Sequence, residues 1–508
     1  MDGKKLEVLE KGITRSEPPN SCVICIFGAS GDLSHRELIP SLFSLFKINL
    51  LPRDFAIVGY SSSQYTDESF REDMYDTIMR DTEYNEDSWK RFSKNLFFVN
   101  GDFNDTPGKG YKKLHDKIEK LKKDLKIADN ILFHLATPSE FYGTIVKRLE
   151  AAKLTQSETG WRRVIIEKPF GSDRQSSIEL DEVIKKVLRE DQIFRVDHFL
   201  GKETVQNMLV FRFANPGFEP IWNRDFIDNV QITVSEDIGI GRRGSFYEET
   251  GIVRDMVQNH LLQLLCMIAI EPPVNYDAKS LRTETSKVLD SVCKIDVENN
   301  VVLGQYDSGI INSEVVKGYR EEFKVSKNSM VPTYAAMKLY LDNWRWAGVP
   351  FFLRTGKRLT QRLAEITIDF KPTPHLMFHV KENEEKEHNF LTFRLQPNEG
   401  IVYTFTAKQP GSELKLRPVH LDFEYASAFG ISEPPSAYQW LLYDAMRGDQ
   451  TLFPKSEWIY DAWSIVDPII KKWEDKPWSK FPNYKAGTWG PKEADVLVKK
   501  SNCQWHVT

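Results

Sequence analysis

The sequence predicts an α/β Rossmann-like N-terminal domain followed by an α+β domain with a large, mainly antiparallel sheet. At 508 residues the chain exceeds the roughly 250–300 residues at which a single core stops growing, so two domains are expected. Up to about residue 200, short apolar runs alternate with charged amphipathic segments, the pattern of parallel strands covered by helices on both faces. Beyond it, apolar residues recur at every second position, as in antiparallel strands with one buried and one wet face. The boundary is therefore placed between 1–200 and 201–508.

The elements follow in order. Residues 23–27 form an apolar run that enters a glycine turn. Leu38, Leu42, Leu45 and Phe46 then recur at helical spacing, and residues 55–59 supply a second strand, which completes a β-α-β unit. Pro40 falls inside the helical pattern, where it either kinks the helix or occupies its first turn. Residues 96–99 and 131–135 read as further strands, and 111–126 and 174–190 as helices. A strand over 165–166 runs into Glu167-Lys168-Pro169, a tight turn in which Pro169 is a candidate for a cis bond. In the second half, Val230/Ile232/Val234, Ile366/Ile368/Phe370, Leu391/Phe393/Leu395 and Val419/Leu421/Phe423 alternate, with a helix over 252–269 backing the sheet. Residues 381–388 read as a solvated loop. Residues 1–20 lack an apolar run of signal-peptide length and read as a flexible arm.

Composition narrows the partners. With 68 basic and 73 acidic residues and a net charge of −5, the chain has no positive field to hold nucleic acid. An anionic ligand must meet local cations instead. No stretch approaches the ~18 consecutive apolar residues of a membrane-spanning helix. Five cysteines, an odd and sparse set, suit a reducing cytoplasm. Cys22 and Cys25 form a C-x-x-C, but inside a strand they face opposite sides. They read as core thiols, because the redox motif normally opens a helix.

Three segments carry chemistry. Gly28-Ala29-Ser30-Gly31-Asp32-Leu33 leads a strand into a helix, placing backbone N–H groups and the positive helix end where a pyrophosphate can sit. Its G-x-x-G spacing departs from the common dinucleotide fingerprint, so a glycine turn without a ligand is the competing reading. Arg195-Val196-Asp197-His198-Phe199-Leu200-Gly201-Lys202 gathers an acid, an imidazole and an ammonium. His198 and Lys202, four apart, would share one face of a helix and offer a phosphate two donors. Asp255-Met256-Val257-Gln258-Asn259-His260 brings a polar cluster into an otherwise apolar helix. There His260 is either a capped core histidine or a general base of suitable pKa.

Together these segments resemble the glucose-6-phosphate dehydrogenase family, from about residue 22 to the last twenty residues. The resemblance implies oxidation of D-glucose 6-phosphate at C1 to 6-phospho-D-glucono-1,5-lactone, with hydride transfer to NADP, the first step of the oxidative pentose phosphate pathway. It marks His260 as base and Asp197 as the carboxylate that orients it. It assigns Lys168, His198, Lys202, Glu236, Asp255 and Lys357 to the substrate, with Lys168 also meeting the cofactor. The cofactor would lie on residues 28–33 and on Ser62, in a homodimer or homotetramer assembled through the large sheet. Dehydrogenases of another aldose phosphate, or a non-catalytic sensor, remain alternatives. The sensor is disfavoured because base, aspartate and phosphate-binding pair are all present.

Three positions depart from the family pattern. Ser62 and Glu37 stand where cations for the 2′-phosphate are usual, so NAD becomes a possible cofactor, with the hydroxyls of residues 61–63 and Arg36 left to hold a phosphate. Phe199 replaces a tyrosine hydroxyl. A second, structural nucleotide is not expected: Arg354 and Arg394 match two of its cations, but Leu363 and Phe405 replace others. No metal is expected either, since His375, His379 and His388 lack a completing acid or cysteine and Pro372 and Pro374 disfavour a local helix.

Overall fold

Six strands, β1 (Cys22–Phe27), β2 (Phe55–Ser61), β3 (Leu96–Asn100), β4 (Ile131–Leu135), β5 (Arg162–Ile166) and β6 (Ile193–Arg195), pair in parallel in the order β3-β2-β1-β4-β5-β6. Every residue of β1, β2 and β4 is buried. That is why these strands read as unbroken apolar runs. Strand order reverses between β1 and β4, and such a reversal opens a crevice at the carboxyl ends. The computed structural model describes residues 17–78, 86–106, 108–375, 377–378, 389–412, 414–430 and 435–506. The loop expected over 381–388, most of the N-terminal arm, His379 and His388 lie outside the described residues.

Cys22 and Cys25 are free and buried in β1, and burial pushes the Cys22 thiol up to about 12. They are core thiols. Pro40 sits in the first turn of helix Ile39–Lys47, where a missing N–H costs nothing. The helix expected over 111–126 spans Lys109–Asp124. The one expected over 174–190 ends earlier, as Arg174–Lys185, because residues 190–192 form a separate 3-10 turn.

The chain divides into two compact units of discontinuous content: 1–168, 179–198 and 436–454 in the first, and 169–178, 199–435 and 455–508 in the second. Residues 436–454 return to the first sheet through specific bonds. Arg163 donates to the carbonyl oxygens of Ala445 (2.9 Å) and Met446 (2.6 Å). The Gln450 amide donates to those of Glu190 (3.0 Å) and Ile193 (2.9 Å), and the rings of Phe194 and Phe453 meet edge-on at 4.9 Å. The expected boundary at residue 200 does not contain this return.

In the second unit, β7 (Ile227–Ser235) and β8 (Val301–Gly304) are followed by three short strands, β9 (Tyr306–Asp307), β10 (Gly309–Ile311) and β11 (Glu314–Val316). Then come β12 (Tyr334–Tyr340), β13 (Pro350–Gly356), β14 (Leu363–Phe370), β15 (Phe390–Gln396), β16 (Gly400–Lys408) and β17 (Leu416–Glu424). Eight of them form one sheet, β17-β16-β15-β14-β7-β13-β12-β8, in which β7 and β13 run parallel and the other neighbours antiparallel.

The alternation seen in the sequence is present, but the expectation of one wet face fails at the centre of this sheet. Asn229, Gln231 and Thr233 of β7 and Glu365, Thr367 and Asp369 of β14 are all buried. The cause is the C-terminal segment laid over them. Gln231 donates to the Gln504 carbonyl (2.8 Å) and accepts from the His506 backbone N–H (2.9 Å), and His506 meets Asp369. At the edge the pattern fails in the opposite sense, since Leu421 of β17 is 62 % exposed.

The helix expected over 252–269 is three pieces: Gly244–Ile252, a π-helical segment Val253–Leu261, and Leu262–Ala269. Gly251, at φ +61°, turns the chain between the first two. The carbonyl oxygens at the far end are capped from the core. Trp222 and Arg212 donate to Ile268, and Trp346 to Ala269, at 2.8–3.0 Å. This anchors the segment that carries Asp255 and His260.

Candidate active site

In the first unit the site begins where β1 ends. Gly28 has φ +80°, and a Cβ there would stand 2.2 Å from the Ala136 carbonyl oxygen, so only glycine fits. The Gly31 N–H closes the turn on the Gly28 carbonyl (2.9 Å), the Ser34 hydroxyl donates to the same oxygen (3.1 Å), and the helix starts at Asp32. A tight glycine turn feeding a helix N-terminus at the strand-order reversal is the right cradle for a pyrophosphate. The residues present therefore fit a dinucleotide.

The loop after β2 is tied to that turn. Ser30 donates to Ser61 (3.0 Å) and accepts from Ser63 (2.9 Å), while Asn100 at the end of β3 holds the carbonyls of Ser62 (3.0 Å) and Ser63 (2.8 Å). Ser61 is thus buried and Ser62 exposed. Arg36 pairs with Asp32 at 2.7 Å with both side chains 74 % exposed. An exposed pair of this kind is worth little and can be redirected toward a ligand.

Lys168 and the Asp197-His198 pair follow β5 and β6 directly, at the carboxyl ends where open α/β sheets bind ligands. The bond before Pro169 is trans, contrary to expectation; the turn is taken instead by Gly171, at φ +76°. Behind Lys168, the Glu167 carboxylate is 7 % exposed and meets His134 Nε2 (3.0 Å) and the Tyr438 hydroxyl (3.1 Å).

Residues 198–201 are a turn, and in the second unit Lys202 is the N-cap of helix Glu203–Phe213. The expected helical face for His198 and Lys202 is therefore not formed, because the helix starts only at Glu203, beyond both residues. The Lys202 ammonium donates to Gln396 Oε1 (2.8 Å) and lies 5.5 Å from the centre of the Phe199 ring. Phe199 is buried, its ring 4.6 Å from that of His260. His260 is 1 % exposed within the π-helical segment, whose wide turn lets Asn259 donate back to the Arg254 carbonyl (3.0 Å).

Lys357 is 3 % exposed just beyond β13 and binds Glu236, with Asp255 Oδ2 3.7 Å from its ammonium. One cation thus joins two carboxylates from distant segments into a hydrogen-bonding set suited to sugar hydroxyls. Glu236, Asp255, His260, Lys202 and Lys357 belong to this unit. Residues 28–33, Ser62, Lys168, Asp197 and His198 belong to the first. Sequence reasoning missed Gln396, Glu167, His134 and Tyr438; each joins the others only through contacts spanning 33 to 271 residues.

The two cations considered for a second nucleotide are engaged within the protein. The Arg354 guanidinium is buried 4.8 Å from the Trp489 ring and 4.3 Å from that of Trp505, and Arg394 pairs with Asp422 and Glu424.

Comparison with known proteins matches most of the chain to one family. The family profile described as "Glucose-6-phosphate dehydrogenase, NAD binding domain" matches residues 25–207, and its "C-terminal domain" counterpart matches 209–506. The glucose-6-phosphate 1-dehydrogenase of Aggregatibacter actinomycetemcomitans is 44 % identical over 96 % of this chain and 97 % of its own, and that of Chlamydia pneumoniae is 41 % identical over 97 % and 96 %. A solved glucose-6-phosphate dehydrogenase in complex with glucose 6-phosphate superposes with a TM-score of 0.87 at 32 % identity, covering 97 % of this chain and all of that one. A glucose-6-phosphate 1-dehydrogenase from Mycobacterium avium gives 0.79 at 35 %, covering 96 % and 99 %. With residues 25–207 and 209–506 matched by the two domains of one family and a glucose-6-phosphate dehydrogenase fold at high overlap, this chain belongs to the glucose-6-phosphate dehydrogenase family.

Proposed function

We propose that the chain oxidises D-glucose 6-phosphate at C1 to 6-phospho-D-glucono-1,5-lactone, opening the oxidative pentose phosphate pathway. The observation that carries this reading is the match of both the nucleotide and the C-terminal halves to one family of enzymes. His260 takes the proton of the C1 hydroxyl as the C1–H bond breaks, and the lactone C=O forms. Bound NADP, with NAD as an alternative, supplies the hydride acceptor. Asp197 orients the imidazole and stabilises its charged form. Lys202 and His198 bind the phosphate, whose remote binding places C1 for reaction. Glu236, Asp255 and Lys357 hold sugar hydroxyls, and Lys168 meets both ligands.

The nucleotide rests on residues 28–33, with Ser62 and its neighbours at the ribose. We place the enzyme in the cytoplasm as a homodimer or homotetramer. The five free cysteines favour that compartment, and among the described residues no helix is long and apolar enough to cross a membrane. Reduced-nucleotide absorbance with glucose 6-phosphate as substrate tests the activity. His260→Asn should lower kcat by roughly 10²–10⁴ with KM little changed, and Asp197→Asn in that background should add little. Turnover within about threefold of wild type removes His260 from the mechanism.

A further inference from the structure

Tyr438 lies 240 residues beyond the Asp197-His198 pair and belongs to no motif near it, yet it returns to the first unit among the candidate residues. It is the second residue of helix Ala437–Arg447, and its backbone N–H donates to the hydroxyl of the N-cap Ser436 (3.2 Å). The side chain is 9 % exposed. Its hydroxyl donates to Glu167 Oε2 at 3.1 Å. Its ring lies nearly parallel to that of His198, at 10° with centroids 6.5 Å apart.

Glu167 accepts on its other oxygen from His134 Nε2 at 3.0 Å. His134 is 1 % exposed, and its Nδ1 has no hydrogen-bond partner among the described residues. A protonated ring would therefore bury an unpaired N–H, so the neutral tautomer with its proton on Nε2 fits. Burial, and then the Glu167 carboxylate, push the Tyr438 phenol far above the ordinary tyrosine value. It stays a donor. Both lone-pair faces of Glu167 are thus fixed, and Glu167 immediately precedes Lys168.

We propose that Tyr438 is a positioning residue: its hydroxyl, through Glu167, sets the direction in which Lys168 leaves β5, and its ring limits the rotation of His198. This rests on the reading of Lys168 and His198 as substrate-binding groups. A merely space-filling residue needs only the ring. Packing alone does not require a buried carboxylate held by two donors, since apolar side chains of the same volume can fill such a place at equal stability.

The test is steady-state kinetics of the full-length enzyme with glucose 6-phosphate and, for comparison, glucose. Tyr438→Phe keeps the ring and should lower kcat/KM for glucose 6-phosphate about tenfold, the loss of one hydrogen bond to a charged group. In a Lys168→Ala background the same change should cost less than about twofold, because the hydroxyl acts through Lys168. Glu167→Gln, which preserves shape, should show the same dependence on Lys168. Tyr438→Leu should further raise KM for glucose 6-phosphate several-fold but leave KM for glucose unchanged.

Undiminished kcat/KM in Tyr438→Phe, or an equal loss with and without Lys168, overturns the positioning role while leaving the assignment of Lys168 intact. If Lys168→Ala and His198→Ala are themselves as active as wild type, the reading of the site falls and the proposal falls with it. Tyr438→Phe and Glu167→Gln remove no core volume, so the outcome does not depend on whether Tyr438→Leu folds.

Discussion

Phe199 shows what a single ring can do in two directions. One neighbour is His260, at 4.6 Å between rings, and the other is the Lys202 ammonium, 5.5 Å from the ring centre. The contact with His260 restricts the imidazole, and the contact with Lys202 places a cation beside an aromatic surface without giving it a hydrogen bond. A hydroxyl at the ring tip would offer the sugar phosphate one further donor. Phe199→Tyr is therefore expected to lower KM for glucose 6-phosphate about 2–10-fold at nearly constant kcat, the worth of one ordinary hydrogen bond. Steady-state kinetics decide it, and an unchanged KM would mean that the ring tip does not reach the phosphate. At this scale the sequence was informative where a local motif dictates local geometry, as at Gly28, whose positive φ and close approach to Ala136 admit only glycine. Gln396 was illegible, because nothing near it in the chain announces that it will meet Lys202, 194 residues away.

Elements carry their own lesson in the strands whose pattern was read correctly and whose environment was not. β7 and β14 alternate as expected, but the polar side of each is buried under the C-terminal segment. Alternation reports which residues share a face, and says nothing of what lies on it. The helix over 252–269 was likewise visible in its period, whereas its π-helical winding was not. That winding depends on tertiary contacts.

Asp129, just before β4, illustrates an element held by charge. It accepts from Lys122 at 2.5 Å, from Arg162 at 2.8 Å, and from Ser157. Burial raises its pKa, but the hydrogen bonds from Lys122, Ser157 and Arg162 together outweigh burial and hold it well below the usual carboxylate range. A carboxyl depressed on folding contributes stability above its unfolded pKa of about 3.9 and loses it as pH falls toward the folded value. Asp129→Asn should thus lower the thermal midpoint at pH 7, with the deficit shrinking below about pH 4. Melting curves from pH 7 to 3 test this, and a deficit that stays flat or grows on acidification would contradict it.

For the whole molecule, nucleotide choice is the property in which family membership and local sequence pull apart. The loop after β2 presents serines already bonded to one another and to Ser30, and Arg36, the nearest cation considered, is paired with Asp32. On the proposed reading of this loop, NADP binding relies on hydroxyls, backbone and a redirected arginine. Each charge-assisted contact is worth about 1.5–3 kcal/mol, so two fewer of them should leave a shallow preference. The ratio of kcat/KM for NADP over NAD is expected below ~10³, and Ser62→Arg should raise it about tenfold. A wild-type ratio above that value would show that another cation reaches the 2′-phosphate.

The return of residues 436–454 to the first sheet bears on how the protein comes into being. Arg163 and its acceptor in Ala445 are 282 residues apart. A ribosome adding roughly 5–20 residues per second needs on the order of ten to fifty seconds to travel from residue 198 to residue 454. Throughout that interval Phe194 lacks the ring that packs on it, Glu167 lacks one of its two donors, and the Arg163 guanidinium lacks its two carbonyls. The nucleotide-binding half is therefore the first to emerge and among the last to be finished. Nascent chains would spend that time with a sticky, half-built sheet edge, a natural client for chaperones and a hazard for any fragment cut at residue 200.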